Sequence, residues 1–252
     1  MLIYGFHAVL ARLKRAPESI RELYADAGRE DARMRELLRL AEQTGLRPHR
    51  VDSERLERLC PRKRHQGVVA LADASLPAVT LDALLTSVEA PATLLLLDGV
   101  TDPRNLGACL RVADGAGVAA VIAPKDHACL LTEVAVQTAS GAADSVPYIM
   151  VTNLARAMDA IGEAGFWLLG TADEAERSIY DEDLSGSIAW VLGAEGKGLR
   201  RLIRERCDAL VGIPMLGQVS SLNVSVAAGV VLYETLRQRR PADPFKAAAR
   251  GA

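Results

Sequence analysis

The sequence predicts an α/β protein, with a small mixed module followed by a larger one built on a parallel sheet. Short apolar segments alternate with helical patterns along most of the chain, which is typical of parallel sheets covered by helices on both faces. Half of the 252 residues are hydrophobic, enough to bury a substantial core. Several apolar segments end in turn-forming residues where a helix begins, and open α/β sheets bind their ligands at that edge.

The first 75 residues alternate helical and strand patterns over short distances. Apolar residues recur at helical spacing over 31–43, and Gly45 follows as the stop signal of that helix. We therefore predict a compact α/β module over 1–75. Its other predicted elements are a helix over 7–15 and strands over 20–25, 47–51 and 67–72.

A stretch with Pro77 and Pro91 around one short helical pattern suits a linker better than a core element. We predict a linker at 76–92, a second domain at 93–240 and a mobile tail at 241–252. In the second domain, strands are predicted over 93–97, 119–123, 146–151, 166–169, 188–192 and 209–213, and a last helix over 221–239.

Composition argues against several classes of protein. No apolar run approaches the roughly 20 residues that span a bilayer, and the N-terminus lacks the layout of a signal peptide, so we expect a cytoplasmic protein without membrane contact. The four cysteines include no C-x-x-C pair, and the four histidines do not lie at metal-ligand spacing beside them. We therefore expect neither a bound metal nor a disulfide framework.

The net charge of -2 hides a difference between the two parts of the chain. Residues 1–75 carry 15 Lys and Arg against 11 Asp and Glu, a balance of +4, whereas the remainder carries 15 against 21, a balance of -6. A basic module is compatible with RNA as partner, although exposed charged helices give the same count. The candidate RNA contact is the basic turn of Arg62, Lys63 and Arg64, with a solvated turn as the alternative.

Three segments place small or turn-forming residues where an apolar strand gives way to a helix: 102–111, 193–198 and 213–225. The second is not a Walker A loop, because Gly198 follows Lys197 where Ser or Thr is required. No dinucleotide fingerprint follows a strand either, which argues against a nicotinamide-dependent oxidoreductase. Each segment also has a purely structural interpretation, in which Asn105 bonds locally, Arg111 is solvated and Ser220 or Ser221 is a helix N-cap.

Taken together, the three segments resemble the three motifs of the SpoU, or TrmH, family of RNA ribose 2′-O-methyltransferases, which belong to the knotted SPOUT superfamily. Residues 1–75 resemble the family's ribosomal-protein-like substrate-binding domain, with matching phrases at 3–9 and 65–68. The resemblance implies a C-terminal SPOUT domain with a parallel sheet and a deep trefoil knot. Composition and periodicity alone predict an unknotted doubly wound sheet instead.

The resemblance implies S-adenosylmethionine as the methyl donor and a homodimer with the site near the subunit interface. It assigns cofactor contacts to Gly193, Ile213 and Leu222, with Gly170 and Thr171 as weaker candidates. The family's polar active-site positions fall on Asn105, Arg111, Glu195, Ser221 and Asn223. The sequence departs from the pattern at Val112, where a hydroxyl residue is common, and we expect no loss of activity from this.

The motifs are most similar to those of members that methylate a guanosine of the peptidyl-transferase loop in bacterial large-subunit rRNA. Two alternatives stay open: methylation of tRNA, since the N-terminal domain selects the RNA, and a non-catalytic RNA-binding ribosome-assembly factor on the same scaffold. The family makes Arg111 the general base. Because a guanidinium normally stays protonated, we expect Arg111 instead to orient a substrate phosphate and stabilise the developing alkoxide.

Overall fold

The computed structural model describes residues 2–61, 65–73, 79–194, 196 and 198–239. The described residues fall into two compact units, drawn from Met1–Ala78 with Ser140–Ser145 and from Val79–Ala139 with Val146–Ala252. Three sequence predictions lie outside the described residues: the tail at 241–252, the basic turn at 62–64 and Glu195.

The strands are β1 Leu2–Tyr4, β2 Ile20–Asp26, β3 His49–Val51, β4 Val68–Ala72, β5 Thr93–Asp98, β6 Ala120–Pro124, β7 Tyr148–Val151, β8 Trp167–Thr171, β9 Arg177–Ser178, β10 Ile188–Gly193 and β11 Ala209–Gly212. The α-helices are α1 Phe6–Arg15, α2 Ala32–Gln43, α3 Ser53–Leu59, α4 Leu81–Ser87, α5 Pro103–Gly115, α6 Glu133–Ala139, α7 Ala142–Ser145, α8 Leu154–Glu163, α9 Arg201–Arg204 and α10 Val224–Arg239.

The first unit is a mixed sheet with helices on both faces. Its described strands run in the order β1-β4-β2-β3, with β4 antiparallel to both neighbours and β2 parallel to β3. Helices α1 and α2 bury their apolar sides on one face, and α3 covers part of the other. The predicted helix over 31–43 is confirmed: Asp31 caps it by accepting hydrogen bonds from the amides of Arg33 and Met34. The sequence analysis missed α3 and β1.

The segment Ser140–Ser145 belongs to this first unit through a buried ion pair. The Arg12 guanidinium on α1 lies 2.6 Å from the Asp144 carboxylate on α7, and their side chains are only 3% and 8% exposed. Arg12 also donates to the Ser19 hydroxyl and to the carbonyl of Asp73. These contacts satisfy the buried guanidinium, which is the condition for tolerating a charge in a protein interior.

The second unit confirms the predicted parallel sheet. Its described strands run in the order β7-β6-β5-β10-β8-β11-β9, and each described pairing is parallel. The inner strand β5 shows the reason for this arrangement: its four consecutive leucines are all buried and alternate between two covered faces. One face packs on α4, α8 and α9. On the opposite face, the indole of Trp190 donates a 2.9 Å hydrogen bond to Thr235 of α10.

The last helix begins at Val224 and not at Ser221, because Asn223 supplies the cap: its carbonyl accepts from the amide of Ala227 and its side chain from the amide of Ser225. Strand order and register do not establish how the chain threads, so the deep trefoil knot stays a prediction. None of the described helices is both long and apolar enough to cross a membrane.

Candidate functional site

A cavity of about 350 Å³ opens at the carboxyl edge of the parallel sheet in the second unit. Thr171 ends β8, Gly193 ends β10 and Ile213 follows β11, so three neighbouring strands deliver their last residues to it. Its volume lies within the roughly 300–1,000 Å³ typical of small-molecule sites. The apolar lining includes Leu192, Leu199, Met215 and Leu222, and the polar lining includes Asp173, Glu174, Arg204, Ser220 and Ser221.

Gly193 is required by the close approach of the turn that follows it. A Cβ atom at this position would lie 2.1 Å from the carbonyl carbon of Gly198 and 2.5 Å from the amide nitrogen of Leu199. The Gly198 amide in turn donates a 2.9 Å hydrogen bond to the carbonyl of Ala194. The turn therefore folds back on the end of β10 and forms a wall of the cavity.

The predicted cofactor residues do not all reach the cavity. Thr171, Gly193, Ile213 and Leu222 line it, whereas Gly170 is not among its lining residues. At Gly170 a Cβ atom would lie 2.7 Å from the sulfur of Cys207, so this glycine serves packing behind the cavity. Ser221, one of the predicted polar residues, also lines the cavity.

Asn105 and Asn223 meet beside the cavity. The side-chain nitrogen of Asn223 donates a 3.0 Å hydrogen bond to the side-chain oxygen of Asn105. The oxygen of Asn223 accepts from the amide and hydroxyl of Ser225, at 2.9 and 2.6 Å. Because that oxygen is held by Ser225, the nitrogen is directed at Asn105. The neighbours of Asn223 in the chain, Leu222 and Val224, both line the cavity.

The position of Asn105 follows from how α5 begins and packs. Asp102 caps the helix by accepting a 2.7 Å hydrogen bond from the amide of Arg104, and Pro103 occupies the first turn. About one turn along, a Cβ atom at Gly107 would lie 2.5 Å from the carbonyl oxygen of Ala135, so the backbones of α5 and α6 are nearly in contact. The close approach at Gly107 is thus to another helix.

The backbone of Arg111 lies further along α5 than that of Asn105. It is six residues beyond Asn105 on α5, about 9 Å further along the helix axis. Its side chain is exposed, and it does not line the cavity. The structure therefore brings Asn105, Asn223 and Ser221 to one edge of the sheet and places Arg111 further along the helix.

The sequence analysis missed a buried carboxylate at the same edge. Asp98 ends β5 and its side chain is fully buried. It accepts hydrogen bonds from the amide of Arg200 at 2.9 Å and from the guanidinium nitrogens Nε at 2.7 Å and Nη2 at 2.6 Å. The sequence contains a sign of this buried carboxylate, because Asp98 is an acidic residue at the end of an otherwise apolar strand. The contact fixes the chain directly after the glycine turn.

The cysteines of the second unit do not form a nucleophilic or metal centre. Burial raises the pKa of the Cys207 thiol to about 12, and burial also raises the pKa of Cys129. These thiols stay protonated near neutral pH and behave as small apolar side chains. Within the described part of the chain, no group of three or more His, Cys, Asp or Glu residues is placed to hold a metal ion.

Comparison with known proteins identifies relatives over nearly the whole chain. Residues 92–233 match the SpoU rRNA Methylase family, and residues 2–78 match the RNA 2′-O ribose methyltransferase substrate-binding family. The 23S rRNA (guanosine-2′-O-)-methyltransferase RlmB of Bordetella pertussis is 57% identical over 95% of this chain and 98% of its own. The enzyme of the same name from Ralstonia nicotianae is 56% identical over 94% of this chain and 96% of its own.

Solved structures lead to the same family. The SpoU methyltransferase AviRb of Streptomyces viridochromogenes is 29% identical, with a TM-score of 0.74 over 95% of this chain and 89% of that chain. A second AviRb structure, in complex with the cofactor AdoMet, has the same TM-score and identity and covers 95% of this chain and 90% of that chain. The family match spans more than half of the sequence and the relatives cover nearly all of it, so the chain belongs to the SpoU rRNA methylase family.

Proposed function

We propose that the chain is an S-adenosylmethionine-dependent 23S rRNA (guanosine-2′-O-)-methyltransferase. The observation that carries the proposal is the cavity at the carboxyl edge of the sheet, lined by Thr171, Gly193, Ile213 and Leu222 and flanked by the Asn105–Asn223 pair. The proposal is supported by the relatives of 56% and 57% identity that carry this activity in their names.

The residues around the cavity fit S-adenosylmethionine. Apolar side chains such as Leu192, Ile213 and Met215 suit a purine ring. The carboxylates of Asp173 and Glu174 suit a ligand that carries an ammonium and a sulfonium, and Glu174 is itself ion-paired with Arg204. We propose that these groups and the backbone of the glycine turn hold the cofactor.

When bound, S-adenosylmethionine supplies the methyl group on a sulfonium, and the acceptor is a ribose 2′-oxygen. The work left to this chain is to hold that oxygen in line with the methyl carbon. We propose that Asn105, oriented by Asn223, binds the ribose or its phosphate, and that Ser221 contributes a hydroxyl at the cavity wall. Arg111, as an exposed cation, would orient a phosphate and stabilise the developing alkoxide. Glu195 is proposed from the resemblance alone.

We also propose that the enzyme is a homodimer that takes large-subunit rRNA as its substrate, with the N-terminal unit contributing to RNA binding. On α10 the large apolar side chains of Val226 and Tyr233 are 50% and 47% exposed, which suits a further protein surface. The guanosine predicted from the resemblance is one of the peptidyl-transferase loop. The match of residues 2–78 to a substrate-binding family supports this assignment of RNA binding.

Methyl transfer from labelled S-adenosylmethionine to transcribed 23S rRNA, with tRNA as the comparison substrate, tests the proposal. We expect incorporation at one guanosine ribose of 23S rRNA. Incorporation into tRNA alone would reassign the substrate, and rRNA binding without any incorporation would make the chain a non-catalytic assembly factor.

Two substitutions test the assigned residues. Asn105→Ala and Arg111→Ala should abolish methylation and leave binding of S-adenosylmethionine, measured by calorimetry, largely intact. Near-normal turnover by Arg111→Ala would remove that residue from the mechanism.

A further inference from the structure

A second cavity, of about 360 Å³, opens at the carboxyl ends of β6 and β7. Pro124 ends β6 and Thr152 follows β7, and both line it. The two strand ends are held together here, since the amide of Lys125 donates a 2.8 Å hydrogen bond to the carbonyl of Val151. Among the residues that line it, Arg200 is the one already described, through its contact with the Asp98 carboxylate.

The two cavities lie on the same edge of one sheet. The strand order places β7 and β6 on one side of β5, and β10, β8 and β11 on the other. Between them stands Asp98 at the end of β5, in its contact with Arg200. The segment that includes α9 borders both cavities, because Leu199 and Arg204 line the first while Arg200, Leu202 and Ile203 line the second.

Arg200 brings a fixed positive group to the second cavity. Its Nε and Nη2 atoms are held by the buried Asp98 carboxylate, while half of the side chain stays exposed. A guanidinium held in this way is pre-organised, because little side-chain freedom is left to lose when it meets a ligand. The donors that Asp98 leaves, on Nη1 and on the outer side of Nη2, are suited to hydrogen bonds with a phosphate group.

His127 adds an imidazole to the rim of this cavity, in an unusual backbone conformation. Its φ angle is +60°, in the left-handed region that few non-glycine residues adopt, although His, Asn and Asp are enriched there. Its side chain is exposed at the rim of the cavity. Backbone conformations of this kind concentrate at ligand-binding sites.

The remaining lining combines apolar and polar groups. Leu154, Leu202 and Ile203 provide apolar surface, and Leu202 is 51% exposed. Thr152 provides a hydroxyl, Asn153 an amide and Asp126 an exposed carboxylate. Proteins hold a nucleotide of single-stranded RNA with donors to its phosphate and a side-chain surface against its base, most often an aromatic ring. In this cavity the surface offered to a base is aliphatic.

We propose that this second cavity binds a nucleotide of the RNA substrate other than the one that is methylated, with its base against Leu202 and Ile203 and its phosphate toward Arg200 and His127. The proposal rests on the proposed function, since it assumes an RNA substrate. An RNA nucleotide in this cavity places the RNA strand along the same sheet edge that carries the cofactor cavity. The cavity therefore contributes to RNA affinity and not to cofactor affinity.

A matched pair of substitutions on neighbouring residues tests this. Leu202→Glu changes the charge by -1 and alters the cavity wall. Arg201→Ala also changes the charge by -1, on a side chain that is 90% exposed and lines neither cavity. His127→Asn removes the imidazole while keeping a residue type that tolerates the left-handed conformation. The probe is a fluorescently labelled transcript of 23S rRNA, and its dissociation constant is read by anisotropy, which requires no turnover.

We expect Leu202→Glu and His127→Asn each to weaken transcript binding about tenfold, and Arg201→Ala to change it by less than about twofold. Calorimetry with S-adenosylmethionine should give the wild-type affinity for all three variants, which also shows that they are folded. Equal losses for Leu202→Glu and Arg201→Ala, or unchanged binding in Leu202→Glu and His127→Asn, would overturn the proposal. If the wild type binds the transcript without methylating it, the proposed function fails, but the anisotropy measurements still test whether the second cavity binds RNA.

Discussion

Replacing Gly193 with alanine should damage cofactor binding while leaving most of the fold intact. The added Cβ would lie 2.1 Å from the Gly198 carbonyl carbon, 2.3 Å from its oxygen and 2.5 Å from the Leu199 nitrogen. All three are backbone atoms, so no side chain can rotate away, and the turn must recede by about 1 Å to reach an ordinary contact. Gly193, Gly198 and Leu199 all line the cavity.

An error of about 1 Å in a positioned site costs on the order of 100-fold in rate, and overpacking costs about 1–3 kcal/mol of stability. We therefore expect kcat/KM for S-adenosylmethionine to fall about 100-fold in Gly193→Ala. Kinetics, calorimetry and thermal unfolding measure the effects. Gly186→Ala is the matched control, because a Cβ there has no neighbour within 4 Å. Wild-type cofactor affinity in folded Gly193→Ala would refute the view that this turn forms the wall of the site.

Three further predictions follow from hydrogen bonds of α10. Asn223→Asp keeps the acceptor for the helix cap but loses the donor to Asn105, so methylation should fall with little change in the thermal midpoint. Asn223→Ala loses both contacts and should also lower the free energy of unfolding by about 1 kcal/mol. Thr235→Val leaves the buried Trp190 indole N–H without its acceptor and should cost about 1–3 kcal/mol in urea unfolding. Hydrogen bonds from Arg237 hold the pKa of Glu234 below its usual value. The contact therefore stabilises the fold at pH values above the usual pKa of a glutamate, and this stabilisation is lost as the pH falls through the lowered pKa of Glu234. Glu234→Gln should flatten the acid unfolding curve in that pH range.

The sequence predicts the second unit well because its strands are buried on both faces. A continuous apolar run such as 93–98 is typical of an inner strand of a parallel sheet, and the turn residues after it mark where the strand ends. Short elements could not be predicted in this way. β9 has two residues and β1 has three, which is too little for a periodic pattern, and α3 was missed although Asp52 caps it.

The candidate site was predictable in its backbone and less so in its side chains. Gly193 and Ile213 stand at strand ends, where chain direction alone brings them to one edge. Arg111 stands six residues beyond Asn105 on α5, about 9 Å further along the helix axis, and its role beside Asn105 stays a prediction. Asp98 went unnoticed because its partner, Arg200, is far away in the sequence and only the parallel pairing of β5 with β10 brings the two together.

The choice of residue at position 223 shows how the site constrains the sequence beyond what the helix needs. Serine, threonine, aspartate and asparagine all cap helices well, since each offers an oxygen to the first turn. An amide is the group among these that accepts from the Ser225 amide with its oxygen while donating to Asn105 with its nitrogen. Aspartate would lose the donor to Asn105, and serine or threonine would have to reach both partners with one hydroxyl, so the contact with Asn105 favours asparagine. The start of α10 and the candidate site therefore share one side chain, that of Asn223. Because Asn223 is the cap, the helix begins at Val224 and not at the serines that precede it.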